Sequence, residues 1–420
     1  MTFILILLLG THIYYTYRTG FVQRKLPHAI RLSLSGFSSS GNGISAFSAL
    51  ATALAATIGT GNIIGVSTAI AIGGAGAVFW CWLTGLLGIA TCYAECYLSV
   101  KYRVQNSDGS FQGGPMYVME HRLHQKGAAV LFSLAVIFVS LGMGCGVQAR
   151  SVTTAITEQA DLFSQTQIGL MLAMLTGIVI LGGAKQISKI CTWLVPFMSL
   201  FYFGGCLLLI WLNRSVLLET LFVIVRSAFT SESVIGGCAG TAVTTGMRIG
   251  ISRGLFTNEA GLGSIPMAAA SSGESKPYRQ ALVSMTGPFW DTVVMCAITG
   301  IALVSCEVKQ NNFYGNLSGD RWCFLAFSQL PFLGDEILSV SLILFAFATI
   351  IGWNYYGNCA VCYLSGQKGI LVYQILYIAA VYFGATVSSE WIWGLSDYLN
   401  IAMAIPNLCC LWMLRKEVGH

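Results

Sequence analysis

The chain alternates between long apolar runs and short polar connections. About 20 apolar residues are needed to cross the hydrocarbon core of a bilayer as a helix, and most of the runs approach or exceed that length. They are Phe3–Tyr17, Ile44–Ile72, Ala77–Val100, Ala128–Thr153, Ile168–Gly183, Ile190–Leu212, Gly240–Ala270, Ala281–Val304, Leu338–Tyr356, Gly369–Ala385 and Trp391–Leu414. The runs are continuous rather than alternating, which indicates helices and not strands. The pattern predicts an all-α polytopic membrane protein with about eleven transmembrane helices.

Two of these apolar segments contain residues that interrupt a helix. The second carries the run Gly-Thr-Gly-Asn at residues 59–62, and the seventh carries Gly246, Gly250 and Gly254 followed by the run Phe256–Ser264. Two interrupted helices, five segments apart, predict one extra helix followed by a 5+5 inverted repeat with a site at mid-membrane. Taken alone, the first run has an alternative explanation, because glycine also permits close packing of membrane helices.

This pattern predicts that the chain is divided into four consecutive parts. They are residues 1–43, the first transmembrane helix and its inner connector; 44–213, the first five-helix repeat; 214–239, an outer connecting segment; and 240–420, the second, inverted repeat. The N-terminal residues lack a basic region and a cleavage site, so we expect a retained helix and not a signal peptide.

The connections carry most of the basic residues on one side. Those on the predicted inner side are far richer in lysine and arginine than the outer ones, which predicts an outer N-terminus and a cytoplasmic C-terminus. For the inner connection Lys101–Lys126 we expect a turn followed by a short helix. Ser215–Thr230 is either an interfacial amphipathic helix or an ordinary loop.

Composition supports a membrane protein and narrows the partners. The chain is 55% hydrophobic and only 9% charged, with a mean hydropathy of +0.71, whereas soluble domains carry about 25% charged residues. The net charge of +5 comes from residues beside membrane segments and indicates no nucleic-acid partner. The 14 cysteines lie mostly in apolar runs and show no metal-ligand spacing, so we expect neither a zinc site nor an organic cofactor.

A helix broken at mid-membrane exposes backbone amides on one half and carbonyls on the other. Gly59 is expected to open the first break. The amides of Thr60, Gly61 and Asn62, which follow Gly59, are then expected to face an anion. The carbonyls near Thr57 and Ile58, which precede it, are expected to face a cation. From the residues alone, the chain is predicted to be a transporter with a mid-membrane site for an anion and a cation.

Ionisable residues inside membrane segments point to structure or function. Glu259 follows Asn258 at the second break, where it either caps the inner half-helix or pairs with Arg253. Asp291 is expected to face the helix bundle and to bond to hydroxyl groups. A membrane enzyme using Glu259 and Asp291 is a second hypothesis, but no nucleophile accompanies them. Glu95 is expected near the inner boundary, in an ion pair with a nearby basic residue.

Several longer motifs occur in order along the chain. They are GTGNIIGVSTAI at Gly59–Ile70, GAVFWCW at Gly76–Trp82, AEC at Ala94–Cys96, GGPMYVME at Gly113–Glu120, GLFTNEAGLGSIP at Gly254–Pro266, DTVVMCAITG at Asp291–Gly300, FATIIGWNYYGN at Phe347–Asn358 and MAIPNL at Met403–Leu408. With them the chain resembles the alanine-or-glycine:cation symporters, the sodium:alanine carriers of bacteria and archaea. The resemblance implies a LeuT-like fold in the cell membrane, working as a monomer that couples sodium entry to uptake of alanine or glycine.

The resemblance also implies roles for residues outside the first break. Gln148 matches the family's substrate-side glutamine, whose amide binds both carboxylate and ammonium groups; an outer-boundary position is the alternative. Thr349 supplies a hydroxyl to the sodium site. Phe256, Thr257 and Trp353 are expected at the substrate pocket, although aromatic residues in membrane helices more often face lipid or the core.

The chain departs from the family pattern at several positions. Cys145 stands where an asparagine is expected, Ala75 replaces a proline, and Ala348 replaces a serine beside Thr349. The last change removes a hydroxyl oxygen that a sodium ion could use. It therefore leaves open a proton as the coupling ion, a non-transporting amino-acid sensor, and a uniporter or channel.

Overall fold

The structure is a computed structural model that describes residues 2–35, 43–106, 109–157, 163–230, 239–310, 317–331, 333–387 and 390–418. Within these ranges, side chains are described everywhere except at residues 2, 239–244 and 390–397. The described chain is almost entirely helical. Its first elements are helix α1, a short 3-10 turn and helix α2, and they cover Thr2–Arg18, Val22–Lys25 and Leu26–Leu34.

The next group of elements covers the first predicted repeat. The helices are α3 (Ala46–Thr57), α4 (Ile64–Gly73), α5 (Gly76–Lys101), α6 (Pro115–His121), α7 (Lys126–Val139), α8 (Gln148–Thr157), α9 (Gln165–Ile180) and α10 (Gly183–Leu212). A 3-10 turn, Thr60–Asn62, separates α3 from α4, and the two halves of this helix are bent by 62°. A π-helical segment, Ser140–Val147, joins α7 to α8 without ending the helix.

The second half of the chain contains the remaining helices. They are α11 (Leu217–Phe229), α12 (Ala239–Asn258), α13 (Ile265–Ala270), α14 (Pro277–Ser284), α15 (Thr286–Pro288), α16 (Ala297–Gln310), α17 (Gly319–Phe327), α18 (Gly334–Ser365), α19 (Lys368–Thr386) and α20 (Glu390–Met413). A 3-10 turn, Arg214–Val216, precedes α11, and a π-helical segment, Phe289–Cys296, joins α15 to α16.

Helices occupy every predicted apolar segment in the part of the chain that the structure describes. There, 6 continuous helical runs are long and apolar enough to cross a bilayer, and the bent pair α3–α4 makes up to 7. Two shorter apolar helices, Gln165–Ile180 and Tyr398–Met413, accompany them. The total of about eleven crossings stays a prediction.

The second helix break lies later than the glycine pattern predicts. Helix α12 continues to Asn258, and the chain then turns through Glu259, Gly261 and Gly263, which have φ angles of 54°, 91° and 84°. These left-handed conformations end an α-helix and cost glycine little. The chain resumes as α13, so this helix is interrupted only by residues 259–264.

The three earlier glycines of α12 do not open the helix, and that part of the prediction was wrong. Gly246, Gly250 and Gly254 form a stripe that faces α4 and α5. A Cβ atom on Gly246 would lie 2.5 Å from the carbonyl oxygen of Gly73, and one on Gly250 would lie 2.4 Å from that of Ala77. The glycines are required because the backbones approach so closely. We call these three residues the α12 glycine stripe.

Two connections differ in detail from the sequence expectation. Between α5 and α6 the chain forms an antiparallel hairpin of strands β1 (Val104–Gln105) and β2 (Phe111–Gln112), where only a turn and the short helix were expected. The Arg103 guanidinium lies 3.8 Å from the centre of the Phe111 ring and braces this hairpin. The segment after α10 is the helix α11, not a loop, and its interfacial position stays a prediction.

Candidate functional site

A small cavity lies where the two broken helices meet. Its volume is about 70 Å³, far below the roughly 300–1,000 Å³ of pockets for drug-sized ligands. Most of the residues predicted for the site line it, namely Thr57, Gly59, Thr60, Gly61, Gln148, Phe256, Thr257, Glu259, Thr349 and Trp353. The structure therefore brings together residues from four separate parts of the sequence, and the room between them suits only a small molecule.

Gln148 reaches the cavity from the first turn of α8. Its Oε1 atom accepts a 2.9 Å hydrogen bond from the hydroxyl of Thr60, and the glutamine is buried. The two residues are 88 positions apart in the sequence. Gln148 thus lies beside the first break, not at the outer boundary that was the alternative.

Asn62 lies behind the first break, outside the cavity lining. Its Oδ1 accepts the amide of Gly59 at 2.9 Å, while its Nδ2 donates to Oδ1 of Asp291 at 2.8 Å and to the Asp291 carbonyl at 3.0 Å. The Asn62 amide itself donates to the Gly59 carbonyl at 3.1 Å. Because each of these groups already has a partner, Asn62 holds the break in shape in this conformation, and its amide does not face an anion.

Asp291 is the other half of that contact. Its side chain is fully buried, and its Oδ2 accepts a 2.7 Å hydrogen bond from the hydroxyl of Thr292. The residue belongs to the π-helical segment that precedes α16, and π-helical turns often occur at functional sites. The expectation of a bundle-facing carboxylate bonded to hydroxyls matches this arrangement, although Asp291 does not line the cavity.

The predicted cation ligands meet at the other side of the first break. The Thr349 hydroxyl on α18 is 3.5 Å from the carbonyl oxygen of Ile58, which ends α3. A Cβ on Gly59 would lie only 2.5 Å from Oγ1 of Thr349, so glycine at 59 is what lets α18 approach. The neighbouring Ala348 is fully buried and adds no oxygen. Thr57 lines the cavity nearby.

Glu259 and Asn258 shape the second break. Oε2 of Glu259, a cavity-lining residue, accepts a 2.5 Å hydrogen bond from the hydroxyl of Ser264, which is the residue before α13. Asn258 is fully buried, and its Oδ1 accepts the amide of Ala260 at 2.9 Å. Asn258 therefore satisfies a backbone amide that the break exposes. Glu259 accepts from a side-chain hydroxyl instead, so its expected capping of the half-helix stays a prediction.

Glu95 has a different position from the one predicted. It is 3% exposed, and its Oε1 accepts a 2.5 Å hydrogen bond from Nδ2 of Asn407, which also donates to the carbonyl of Gly261 at 2.9 Å. The expected ion pair near the inner boundary is wrong, because α5 packs against the second break and Lys101 instead pairs with Glu417 at 3.0 Å. The Glu95–Asn407 pair thus braces the second break from behind.

Bulky side chains close the cavity. Trp353 is 1% exposed and packs on the π-helical segment, where a Cβ on Gly144 would lie 2.5 Å from the Cβ of Trp353. Phe256 and Met143 also line the cavity. Sequence reasoning missed Met143, since a methionine inside an apolar run carries no signal. The indole N–H of Trp353 has no hydrogen-bond partner among the residues that the structure describes, which marks an unused donor beside the cavity.

The chain is similar to known proteins in sequence and in structure. The model of the sodium:alanine symporter family matches residues 1–420. The sodium/alanine symporter AgcS of Methanococcus maripaludis is 43% identical over 99% of this chain and 92% of its own length. An uncharacterized transporter of Haemophilus influenzae is 42% identical over 99% of this chain and 91% of its own length.

The structural comparison concerns the fold alone. MhsT, solved in complex with L-phenylalanine, matches with a TM-score of 0.63 at 15% identity, over 89% of this chain and 90% of MhsT. This likeness confirms the predicted LeuT-like fold. The relatives are transporters, so the hypothesis of a membrane enzyme using Glu259 and Asp291 is wrong. With its whole length matched by the family model and by relatives above 40% identity, the chain belongs to the sodium:alanine symporter family.

Proposed function

We propose that the chain couples the entry of sodium to the uptake of alanine or another small neutral amino acid, glycine included, by alternating access. The observation that carries this proposal is the cavity at the junction of two broken helices, where an ion and a polar substrate both find backbone groups freed from helical hydrogen bonding. The name of AgcS as a sodium/alanine symporter supports the same choice of substrate and ion.

The substrate carboxylate would be bound by groups that carry no net charge. The amides of Thr60 and Gly61 lie at the start of the outer half-helix, where the helix dipole favours an anion. The indole N–H of Trp353, which has no partner in the described ranges, adds a donor. Gln148 offers a carbonyl to the ammonium group and an amide to the carboxylate. Thr257 lines the same cavity.

The size of the substrate would be limited by the cavity walls. Phe256, Trp353 and Met143 surround a volume of about 70 Å³, so a methyl side chain fits more easily than a longer one. This limit is the basis for proposing alanine and glycine over large amino acids.

The cation would be bound between α3 and α18. The carbonyls at Thr57 and Ile58 and the hydroxyl of Thr349 are the uncharged oxygen ligands that sodium uses in broken-helix transporters. A proton is the second candidate for the coupling ion, because Glu259 lines the same cavity and can take up a proton. The distribution of basic residues supports an outer N-terminus and a cytoplasmic C-terminus, and we propose that one chain is the transporting unit.

The test is uptake of labelled alanine into proteoliposomes containing the purified chain. Three conditions are compared: an inward sodium gradient, an equal potassium gradient, and a pH gradient alone. Accumulation with sodium only is the expected result. Accumulation with the pH gradient alone would assign the coupling to a proton. Alanine binding without accumulation under any gradient would show that the chain is a sensor, and rapid equilibration without accumulation would indicate a uniporter or channel.

A further inference from the structure

A groove with a polar end and an apolar end lies at the beginning of α10. The polar end has a volume of about 290 Å³. It is lined by Ser45 and Ser48 at the N-terminus of α3 and by residues of α10. The apolar end is an open face of α10 itself, which continues past Leu194 and Phe197. Both ends share Lys185, Lys189 and Trp193. We call this the α10 groove. A polar end next to an apolar end suits a molecule that itself has a polar and an apolar part.

Among the residues that the structure describes, the two lysines of the α10 groove have no acidic partner. Lys185 and Lys189 are exposed, and neither makes an ion pair or hydrogen bond with any residue in the described ranges. Residues 36–42, which precede Gly43 in the sequence and fall outside those ranges, contain no acidic residue. Lys185 also lies in the first turn of α10, where the helix dipole disfavours a cation unless an anion is present. Charge in this groove is therefore uncompensated and positive.

Apolar side chains continue from the lysines along the same side of α10. Trp193 is 77% exposed and Phe197 is 60% exposed. Exposed tryptophan beside lysine is typical of the membrane interface, where the ring lies at headgroup level. Acyl chains would cover Phe197 while the headgroup lies beside the lysines.

Hydroxyl groups at the polar end also link the two helices. The hydroxyl of Thr192 donates to Ser48 at 3.0 Å, and the hydroxyl of Thr52 donates to Ser188 at 2.9 Å. Ser45 caps α3 by accepting the amide of Ser48 at 3.0 Å. A headgroup in the α10 groove would therefore contact α10 and the beginning of the first broken helix at once.

We propose that the α10 groove binds an anionic phospholipid, with the phosphate between Lys185 and Lys189 and an acyl chain along Trp193 and Phe197. The charge selects an anionic headgroup over a zwitterionic one, because only the former lowers the net positive charge of the two lysines, whereas the latter brings a cation of its own. The apolar end selects a lipid over a soluble phosphate. Occupation strengthens the contact between α3 and α10.

The test is native mass spectrometry of the purified full-length protein with phosphatidylglycerol or phosphatidylcholine added in equal amounts. Phosphatidylglycerol is expected to remain bound at least several-fold more than phosphatidylcholine. The K185Q/K189Q variant should lose that preference, whereas K185R/K189R should keep it. The matched control is K276Q/K368Q, which removes the same charge from two exposed lysines elsewhere and should behave like the wild type.

Three outcomes would overturn the proposal. One is equal retention of the two lipids by the wild type. Another is an unchanged lipid preference in the K185Q/K189Q variant, provided that this variant elutes as a folded, monodisperse protein. The third is full displacement of phosphatidylglycerol by millimolar glycerol phosphate, which would assign the site to a soluble anion. The measurement needs neither substrate nor ion gradient, so its result does not depend on the proposed transport activity.

Discussion

Nδ2 of Asn62 donates a 2.8 Å hydrogen bond to the carboxylate of Asp291, and this contact joins the first helix break to the π-helical segment of the second half. Both side chains are fully buried. A buried hydrogen bond to a carboxylate contributes about 1.5–3 kcal/mol, and its loss leaves a polar group unpaired. The contact is therefore expected to determine the shape of the break.

Asp291→Ala should lower the free energy of unfolding by about 2–3 kcal/mol, because Asn62 and Thr292 both lose a partner. Asp291→Asn keeps an acceptor oxygen and should cost less. Thermal unfolding in detergent measures both variants. An unchanged midpoint for Asp291→Ala would contradict the role assigned to this contact.

Gln148→Ala should raise the KM for alanine about tenfold or more, since a lost hydrogen bond to a charged group costs about 1.5–3 kcal/mol. Concentration-dependent uptake into proteoliposomes gives this value. The matched control is Gln374→Ala, which removes another buried glutamine that donates to the Ile180 carbonyl at 2.9 Å. That control should reduce stability and leave KM unchanged; equal effects of both variants would argue against a substrate role for Gln148.

Thr349→Val should raise the sodium concentration for half-maximal uptake about tenfold, because the shape is kept and one ligand oxygen is lost. Thr349→Ser restores the hydroxyl and should remain close to the wild type. Ala348→Ser adds an oxygen next to it and should lower the required sodium concentration. Sodium titrations at fixed alanine check all three, and an unaltered titration for Thr349→Val would place the cation elsewhere.

Glu95→Ala should slow transport and lower the unfolding midpoint, because Asn407 loses its acceptor and the second break loses its support at Gly261. Glu95→Gln keeps an acceptor for Asn407 and should preserve most of the stability. KM for alanine should stay within about twofold in both variants, since Glu95 does not line the cavity. A large change in KM with normal stability would instead place Glu95 at the substrate.

The ion pairs of Glu417, which lie on the side of the protein that carries the β1–β2 hairpin, predict that stability depends on pH. Burial raises the pKa of this carboxyl, but hydrogen bonds from Tyr102, Lys101 and Arg122 outweigh burial and hold the pKa below its usual 4.5. The contribution of Glu417 to the free energy of unfolding is therefore complete above pH 4.5. It is lost as the pH falls through the lowered pKa of the folded state. The midpoint difference between wild type and Glu417→Gln should be constant from pH 5 to 8 and shrink below about pH 4. A midpoint difference that grows on acidification would contradict a lowered pKa of Glu417 in the folded state.

The two helix breaks and the cavity-lining residues at the first of them could be predicted from the sequence, because their signal is local. A run such as residues 59–62 combines helix-weakening glycines with polar groups at membrane depth, and few structures tolerate that combination. Thr349 and Gln148 required the resemblance to a family, because neither residue type is unusual in a membrane helix.

The support behind the breaks could not be predicted from the sequence. Glu95 and Asn407 are 312 positions apart, and only the packing of α5 against the second break brings them together. The Lys101 charge near Glu95 suggested a local ion pair, but α-helical geometry directs the two side chains to different partners. Met143 depended in the same way on the folded cavity.

The α12 glycine stripe has a mechanical consequence for transport. Where two backbones touch with no side chains between them, there is little that can compress or slide, so α12 cannot shift without carrying α4 and α5 along. We therefore expect these three helices to move as one rigid body, which includes one half of each broken helix, α4 and α12. Ser99 of α5 also donates a 2.8 Å hydrogen bond to the carbonyl of Pro266 in α13, so α13 is tied to the same group of helices. We therefore expect relative movement at the first break, because α3 is hydrogen-bonded to α10 instead.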